Sequence, residues 1–335
     1  MASAKSVTSV DVARKAGVSQ SAVSRYFTPG ASVSAKMAEK IRVAADELGY
    51  RPNVLARSLI TGKSRIIGLV VYYLENSFYP EAVEKLSIAL QENGYHVLLF
   101  MASNTVGDVE PVVQQILDYR VDGIIMVSVS VSSVLAERCR DLSIPVMLFN
   151  RDQKRDDLRS VTSENYRGGQ MAAEIFLKSD HKKIAHLAGF DDAKTQIDRE
   201  KGFVDALNAA GQELHSRASG NYDYAEAVEA ARTLFDVEDK PDALFVADDH
   251  MAFAAMDVIR HELGLRIPED VAVIGFDDTQ QSRWPSYNLT TIRQPLNQMV
   301  SAAVNELISA IEDPTTPIRS IKIEPVPQIR GTTRN

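Results

Sequence analysis

From residue 66 onward the chain alternates short apolar runs with segments whose apolar residues recur every three or four positions. That alternation restricts the fold more than any other feature. IIGLVVYY is followed by a helical stretch with Val83, Leu86 and Leu90 on one face, then YHVLLFM, a helix, DGIIMVSV, a helix and PVMLFN. Runs without polar alternation suit strands buried on both faces, and a helix between successive strands makes those strands parallel. The pattern restarts after Ser163 with a helix to Lys178, KKIAHLAG, a helix near 199–210, DALFVAD, another helix and DVAVIGFDD. Two similar α/β halves are therefore predicted, and the 45% hydrophobic content of 335 residues is enough to bury substantial cores in them.

The first 63 residues follow a different rule. Thr8 to Asp11 has the form of a capping box and Gly17 a helix stop; Ser19 then caps a second helix that runs through about Phe27 to Pro29-Gly30. Val12, Ala13, Ala16, Val18, Val23 and Tyr26 are apolar where two such helices press together, which leaves Gln20, Ser21, Ser24 and Arg25 on the outer side of the second. A helix-turn-helix with that outer face suits a major groove: Arg pairs bidentately with guanine, Gln with adenine, and Ser reaches a base or a phosphate. An ordinary helical hairpin in a bundle is the alternative for this segment alone. A third helix from Ser34 presents Met37, Ile41, Ala44, Ala45 and Leu48 inward and ends at Gly49; Lys36, Lys40 and Arg42 are available for phosphate contacts.

Charge divides the chain at the same place. Residues 1–63 hold ten Lys and Arg against four Asp and Glu, leaving +6, while the remainder holds 27 against 41, leaving −14, for the net −8. A basic head on an acidic body implies that the head meets a polyanion. The single cysteine, Cys139, excludes an internal disulfide and a cysteine zinc site. No apolar signal region and no long apolar span occur, so a cytoplasmic, nucleoid-associated protein is expected. Ser-His pairing, a glycine-rich phosphate loop and HExxH spacing are all missing, so neither an enzyme nor a cofactor is expected.

The motifs DVA (11–13), AGVS (16–19), AVSR (22–25), VS (33–34), LGYRPN (48–53) and ARSL (56–59) resemble the LacI/GalR (lactose-repressor) family of bacterial transcription regulators. The resemblance extends over nearly the whole chain. It implies a small all-α helix-turn-helix head at 1–50, a hinge helix and linker at 51–63, and an α/β two-lobed, periplasmic-binding-protein-like (type I) body at 64–335. Lobe 1 would comprise about 64–162 plus 293–322, and lobe 2 about 163–292 plus 323–335. By resemblance Gln20, Ser21 and Arg25 read bases, Thr8, Ser19 and Ser24 complete the DNA-facing set, and 53–59 form a hinge helix that orders on operator DNA. Asn53, Ala56 and Arg57 belong to that hinge, and Leu59 falls on the family's wedging leucine, which kinks the duplex from the minor groove.

Ligand sites in such sheets lie at the carboxyl ends of strands. After the first strand comes NSFY, similar to the family's NPFF, giving Phe78 and Tyr79; after the fourth comes Asn150-Arg151-Asp152, giving Arg151. After the sixth or so comes ADD, where the family commonly has AND, giving Asp248 and Asp249; GFDD gives Asp277. Tyr222 matches a ring in the family's GDF segment, and Ser128, Thr195 and Asp198 complete the predicted effector set. The family often places an arginine five residues before Gly202; here that residue is Ile197, and Arg199 is expected to point elsewhere on the helix. The resemblance implies a regulator, a repressor before an activator or dual regulator, that binds a palindromic operator as a homodimer under control of a small effector. No leucine-heptad tail follows RGTTRN, so no tetramer device is expected. The effector is a sugar or derivative first, a sugar acid or nucleobase second. A solute-binding receptor would fit the body alone, but not the basic head.

Overall fold

The computed structural model describes residues 7–28, 31–51, 63–102, 110–129, 131–153, 155, 157–179 and 181–334. The chain divides into two units, Met1–Ser64 and Arg65–Asn335.

In the first unit, α1 (Ser9–Ala16), α2 (Gln20–Tyr26) and α3 (Ala35–Leu48) surround Val12, Ala13, Ala16, Ala22, Val23, Ile41, Ala44 and Ala45. The predicted caps explain the boundaries. Asp11 N donates to Thr8 Oγ1 at 3.4 Å while Thr8 N donates to Asp11 Oδ2 at 3.0 Å, and Ala22 N donates to Ser19 Oγ at 3.2 Å. Gly17 ends α1 at φ 66°, a left-handed conformation that glycine adopts without steric cost. Phe27 packs edge-on against Tyr26 and Tyr50 and closes one side. Met37, expected inward, is 36% exposed, so α3 packs through Ile41, Ala44 and Ala45.

The second unit contains two six-stranded sheets. Lobe 1 is built on β1 (Ile66–Val71), β2 (His96–Met101), β3 (Gly123–Val127), β4 (Val146–Phe149), β5 (Arg159–Ser163) and β11 (Ser320–Ile323), in the order β11-β5-β4-β3-β1-β2, all parallel. Around it lie α4 (Phe78–Glu92), α5 (Glu110–Asp118) and α6 (Ser133–Asp141). Lobe 2 is built on β6 (Ile184–Ala188), β7 (Ser216–Ser219), β8 (Ala243–Val246), β9 (Ala272–Asp277), β10 (Thr290–Arg293) and β12 (Val326–Gln328), in the order β12-β10-β9-β8-β6-β7, with β12 antiparallel. Its helices are α7 (Asn165–Lys178), α8 (Lys194–Ala209), α9 (Tyr224–Phe235) and α10 (Asp249–Asp257). The strands β1, β3, β8 and β9 are buried at every position, as their unbroken apolar runs require. Separate apolar clusters line the two faces of each sheet.

The chain passes between the lobes three times: from β5 to α7, from β10 to α11 (Leu296–Glu312), and from β11 to β12. α11 packs into the lobe 1 core through Leu296, Met299, Val300, Ala303, Val304 and Leu307. Two strands ahead of residue 247 are not announced by apolar runs: RSVTS of β5 and SRAS of β7 are short and polar, so ADD at 247–249 follows the eighth strand rather than the sixth.

α7 and α8 cross almost backbone to backbone. A Cβ on Gly169 would lie 2.0 Å from Arg199 O, and one on Gly202 would lie 1.9 Å from Tyr166 O. Neither obstacle is a movable side chain. Replacing Gly202 with Ala must separate the helices, so urea unfolding should show a loss of at least about 1–3 kcal/mol. A Gly202→Ala protein with the parent's midpoint and slope would refute the tight crossing.

Candidate nucleic-acid interface and effector cleft

On the head, Ser19, Gln20, Ser21, Ser24 and Arg25 are all exposed, as is Thr8. Gln20 Nε2 donates to Ser9 Oγ at 3.2 Å, which ties its carboxamide to α1, and the hydroxyls of Ser19 and Ser21 lie 2.9 Å apart. Arg25 makes no ion pair among the described residues, so its guanidinium can reach a base or phosphate. Arg42 grips Glu39 at 2.6 and 2.9 Å and reaches Asp46 at 3.0 Å in an exposed network along α3, so a phosphate would compete with these carboxylates for it, whereas Lys36 and Lys40 make no such pair among the described residues. Asn53, Ala56, Arg57 and Leu59 lie outside the described residues.

In the body, the carboxyl ends of the central strands of both sheets meet at one cleft. Asp277 ends β9 at φ 125°, followed by Asp278 at φ 61°, two successive non-glycine residues in backbone regions that cost energy. The surroundings enforce that geometry. Asp277 Oδ1 accepts from Gln294 Nε2 at 2.7 Å. Asp278 gathers Arg283, Arg293 and Arg330, which hold its carboxyl below the usual carboxylate range despite burial. Asp248 precedes α10 and caps it, its Oδ1 accepting from Met251 N at 2.8 Å.

Arg199 overturns the expectation set for it. It is buried, with its guanidinium carbon 3.6 Å from the centre of the Phe276 ring; Nη1 donates to Ala247 O at 2.5 Å and Nε to Asn165 Oδ1 at 2.8 Å. Its charge acts on both Asp248 and Asp277. The sequence does carry the signal: Thr195, Arg199 and Gly202 share a face at i, i+4 and i+7, and the face that brings Gly202 against α7 must bury Arg199. Ile197, at the position where an arginine was expected, is 45% exposed.

The other predicted residues divide into two groups. Tyr79, Ser128, Arg151, Thr195, Tyr222, Asp248 and Asp277 come together near the cleft. Tyr79 OH donates to Ser128 Oγ at 3.0 Å, the Arg151 charge acts on Tyr79, and Thr195 adjoins the Tyr222 hydroxyl. Tyr222 sits at φ 63° with its ring packed over Gly189, and burial pushes its hydroxyl up to about 12. Three residues stand apart. Phe78 is part of the lobe 1 core. Asp249 is wholly buried and points beneath the cleft, accepting from Thr279 N at 2.8 Å, Thr279 Oγ1 at 3.1 Å and Thr291 Oγ1 at 2.6 Å. Asp198 pairs with Lys194 along α8. Sequence reasoning missed Asn76, Gln294 and Tyr73 as individual residues, because each bears on the cleft only through a partner distant in the chain.

The cleft is rich in buried polar atoms without a protein partner: Asn150 Oδ1, Arg151 Nε, Ser163 Oγ and Gln294 Oε1. Such atoms are costly unless something hydrogen-bonds to them, and their convergence marks a place for a polar ligand. Burial raises Asp248 to about 6 and Asp277 to about 7; the nearby Asp248 charge adds to the rise at Asp277, and Arg199 opposes the rise at both. Among the described residues, Arg199, Asp248, Asp249, Asn76 and Gln294 face Asp277.

These features define a class: a DNA-binding helix-turn-helix head joined to a two-lobed ligand-binding body. Residues 9–53 match bacterial regulatory proteins of the lacI family, and residues 173–333 match the periplasmic binding protein-like domain. The chain is 30% identical to the HTH-type transcriptional repressor PurR of Vibrio atlanticus, over 97% of this chain and 98% of that one. It is also 30% identical to the probable HTH-type transcriptional repressor ExuR of Bacillus subtilis, over 94% and 95%. The Lac repressor dimer bound to operator and the anti-inducer ONPF superposes with a TM-score of 0.89 at 26% identity, covering 99% of this chain and 100% of that one. The CelR–cellobiose complex gives 0.74 at 28% identity, covering 97% and 99%. The chain belongs to the lacI family of bacterial regulatory proteins. It is a DNA-binding transcription regulator, not an enzyme.

The elevated Asp248 and Asp277 give a pH dependence with a definite sign. A carboxyl that holds its proton more tightly when folded adds stability that is fully present below its unfolded value near 3.8 and is lost as pH rises through about 6 and 7. Burial lowers His186 to about 4 and lowers His250, and both act with the opposite sign over the same window, so the test compares proteins: from pH 5.5 to 7.5 the midpoint of thermal unfolding of the body should lose a few degrees in the parent relative to Asp277→Asn. A variant with the parent's pH dependence would contradict the burial argument.

Proposed function

We propose that the protein is a transcriptional repressor that binds a palindromic operator as a homodimer and responds to a small carbohydrate-like effector in the interlobe cleft. The observation that carries this reading is the convergence of buried, unpartnered polar atoms beside Asp248, Asp277 and Arg199, in a chain whose head exposes Gln20, Ser21 and Arg25. Carboxylate and carboxamide oxygens accept from hydroxyl groups, and aromatic residues such as Tyr79 and Tyr222 can border a sugar ring. Relatives named as transcriptional repressors support the direction of regulation, and a structural neighbour with cellobiose supports the ligand class. The protein works on chromosomal DNA, in the cytoplasm at the nucleoid. A second reading, a sugar acid, draws on Arg151 Nε, a buried donor without a partner, together with Arg199.

A second copy has a surface to occupy. β2 is an edge strand of lobe 1, and its Leu99 and Met101 share one exposed face, with Ile88 and Tyr119 also exposed. An uncovered apolar edge strand favours association. Two copies bring two heads to two half-sites.

Selection of duplexes from a random pool should recover an inverted repeat. Replacing Arg25 with Ala should then lower discrimination between the selected and altered half-sites by about 1–3 kcal/mol. An equal loss on all sequences would instead make Arg25 a phosphate contact. Thermal-shift screening against neutral sugars, sugar acids and nucleobases tests the cleft. A neutral sugar should stabilise the parent but not Asp277→Asn, whereas a response confined to uronic acids would favour the second reading.

A further inference from the structure

The connection between β1 and α4 reaches across the cleft at three successive points. Tyr73 OH donates to Tyr222 O at 2.9 Å, Asn76 Nδ2 donates to Asp248 Oδ2 at 3.0 Å and Asp277 Oδ2 at 3.2 Å, and Gln281 Nε2 of lobe 2 donates to Ser77 Oγ at 2.5 Å. Asn76 differs from the other two in being wholly internal and in contacting two strand ends at once: it is 2% exposed, and so is Asp248. Its amide has one orientation. Oδ1 accepts from Phe78 N at 2.9 Å at the start of α4, so both amide hydrogens face lobe 2. On the other side, each aspartate has its Oδ1 engaged within lobe 2 or the crossover, by Met251 N and Gln294 Nε2, and turns its Oδ2 to Asn76.

We propose that Asn76 is an interlobe latch, a carboxamide that draws the carboxyl ends of β8 and β9 onto the start of α4 and so sets the angle between the lobes. The two oxygens it engages are the ones a ligand hydroxyl at Asp248 and Asp277 would compete for. Ligand and latch are then linked, and a ligand that takes these oxygens changes the lobe angle by relaxing Asn76. Removing the donor leaves two buried carboxylates short of a hydrogen bond each, a penalty relieved by admitting water between the lobes. This role in regulation rests on the effector-cleft reading above, but the latch itself does not require it.

The test reads the lobe angle directly in the full-length protein. Glu84 and Asn208 are exposed on α4 and α8, one in each lobe, and Cys139 is buried with its thiol pushed up to about 11, so nitroxides attach selectively at Glu84→Cys and Asn208→Cys. Pulsed dipolar spectroscopy then gives the interlobe distance distribution without DNA or ligand. Asn76→Ala should shift or broaden that distribution by several ångströms. Asn76→Asp, at pH 8, keeps an oxygen for Phe78 N while removing both donors and adding a third carboxylate, and should shift it at least as far. The double variant Asp248→Asn/Asp277→Asn keeps one oxygen at each position, which cannot serve Met251 N or Gln294 Nε2 and Asn76 together, so it should shift the distribution in the same direction as Asn76→Ala. A parent-like distribution in either folded Asn76 variant overturns the latch. Such a result leaves the regulator reading standing, because that reading fails only if duplex selection and the ligand screen fail.

Discussion

The guanidinium of Arg199 is the charge around which the cleft is organised. An arginine this deeply buried must be desolvated, and its environment compensates with a ring face, two hydrogen bonds to oxygen and two nearby carboxyls. Each compensating group comes from a different part of the chain: Phe276 from β9, Ala247 from the end of β8, Asn165 from the start of α7. The arginine therefore joins strand ends to helix starts. Its position depends in turn on a distance of backbone packing, because only glycine at 169 and 202 lets α7 and α8 come close enough to seat it.

Electrostatics in the cleft follow from that seat. Two aspartates placed together in a buried site repel each other and resist ionising; one nearby cation lowers that cost without removing it. The carboxyls remain within reach of neutral pH, where they can exchange roles as donor and acceptor. By contrast Asp278, one residue along, is held ionised by three arginines and fastens the C-terminal segment through Arg330. Adjacent residues of one GFDD motif thus have separate tasks, one facing the cleft and one anchoring the lobe.

Much of the architecture was legible because it rests on local rules. The caps at Thr8 and Ser19, the glycine stop at 17 and the doubly buried strands of both halves are all consequences of nearest-neighbour chemistry and period. β5 escaped because its residues are polar although sheet neighbours flank it on both sides, and β7 because it is a short polar strand at the sheet edge. The cleft was legible in outline, since strand ends can be counted along the chain, but not in detail. Asp249 and Asp248 are adjacent and identical in chemistry, yet a helix start turns one toward the cleft and the other toward Thr279 and Thr291. Arg199 was misplaced because the family's arginine position falls at Ile197, although the spacing of 199 to 202 sets Arg199 on the face that Gly202 brings against α7.

The three passages of chain between the lobes carry a mechanical consequence. Two bodies joined by one tether can swing and twist freely, whereas three covalent ties close together leave bending about the line through them as the easy motion. A molecule bound between the lobes then has a single coordinate to act on. Its size and hydrogen bonding are converted into one number, the opening of a jaw, and shape is reported as displacement.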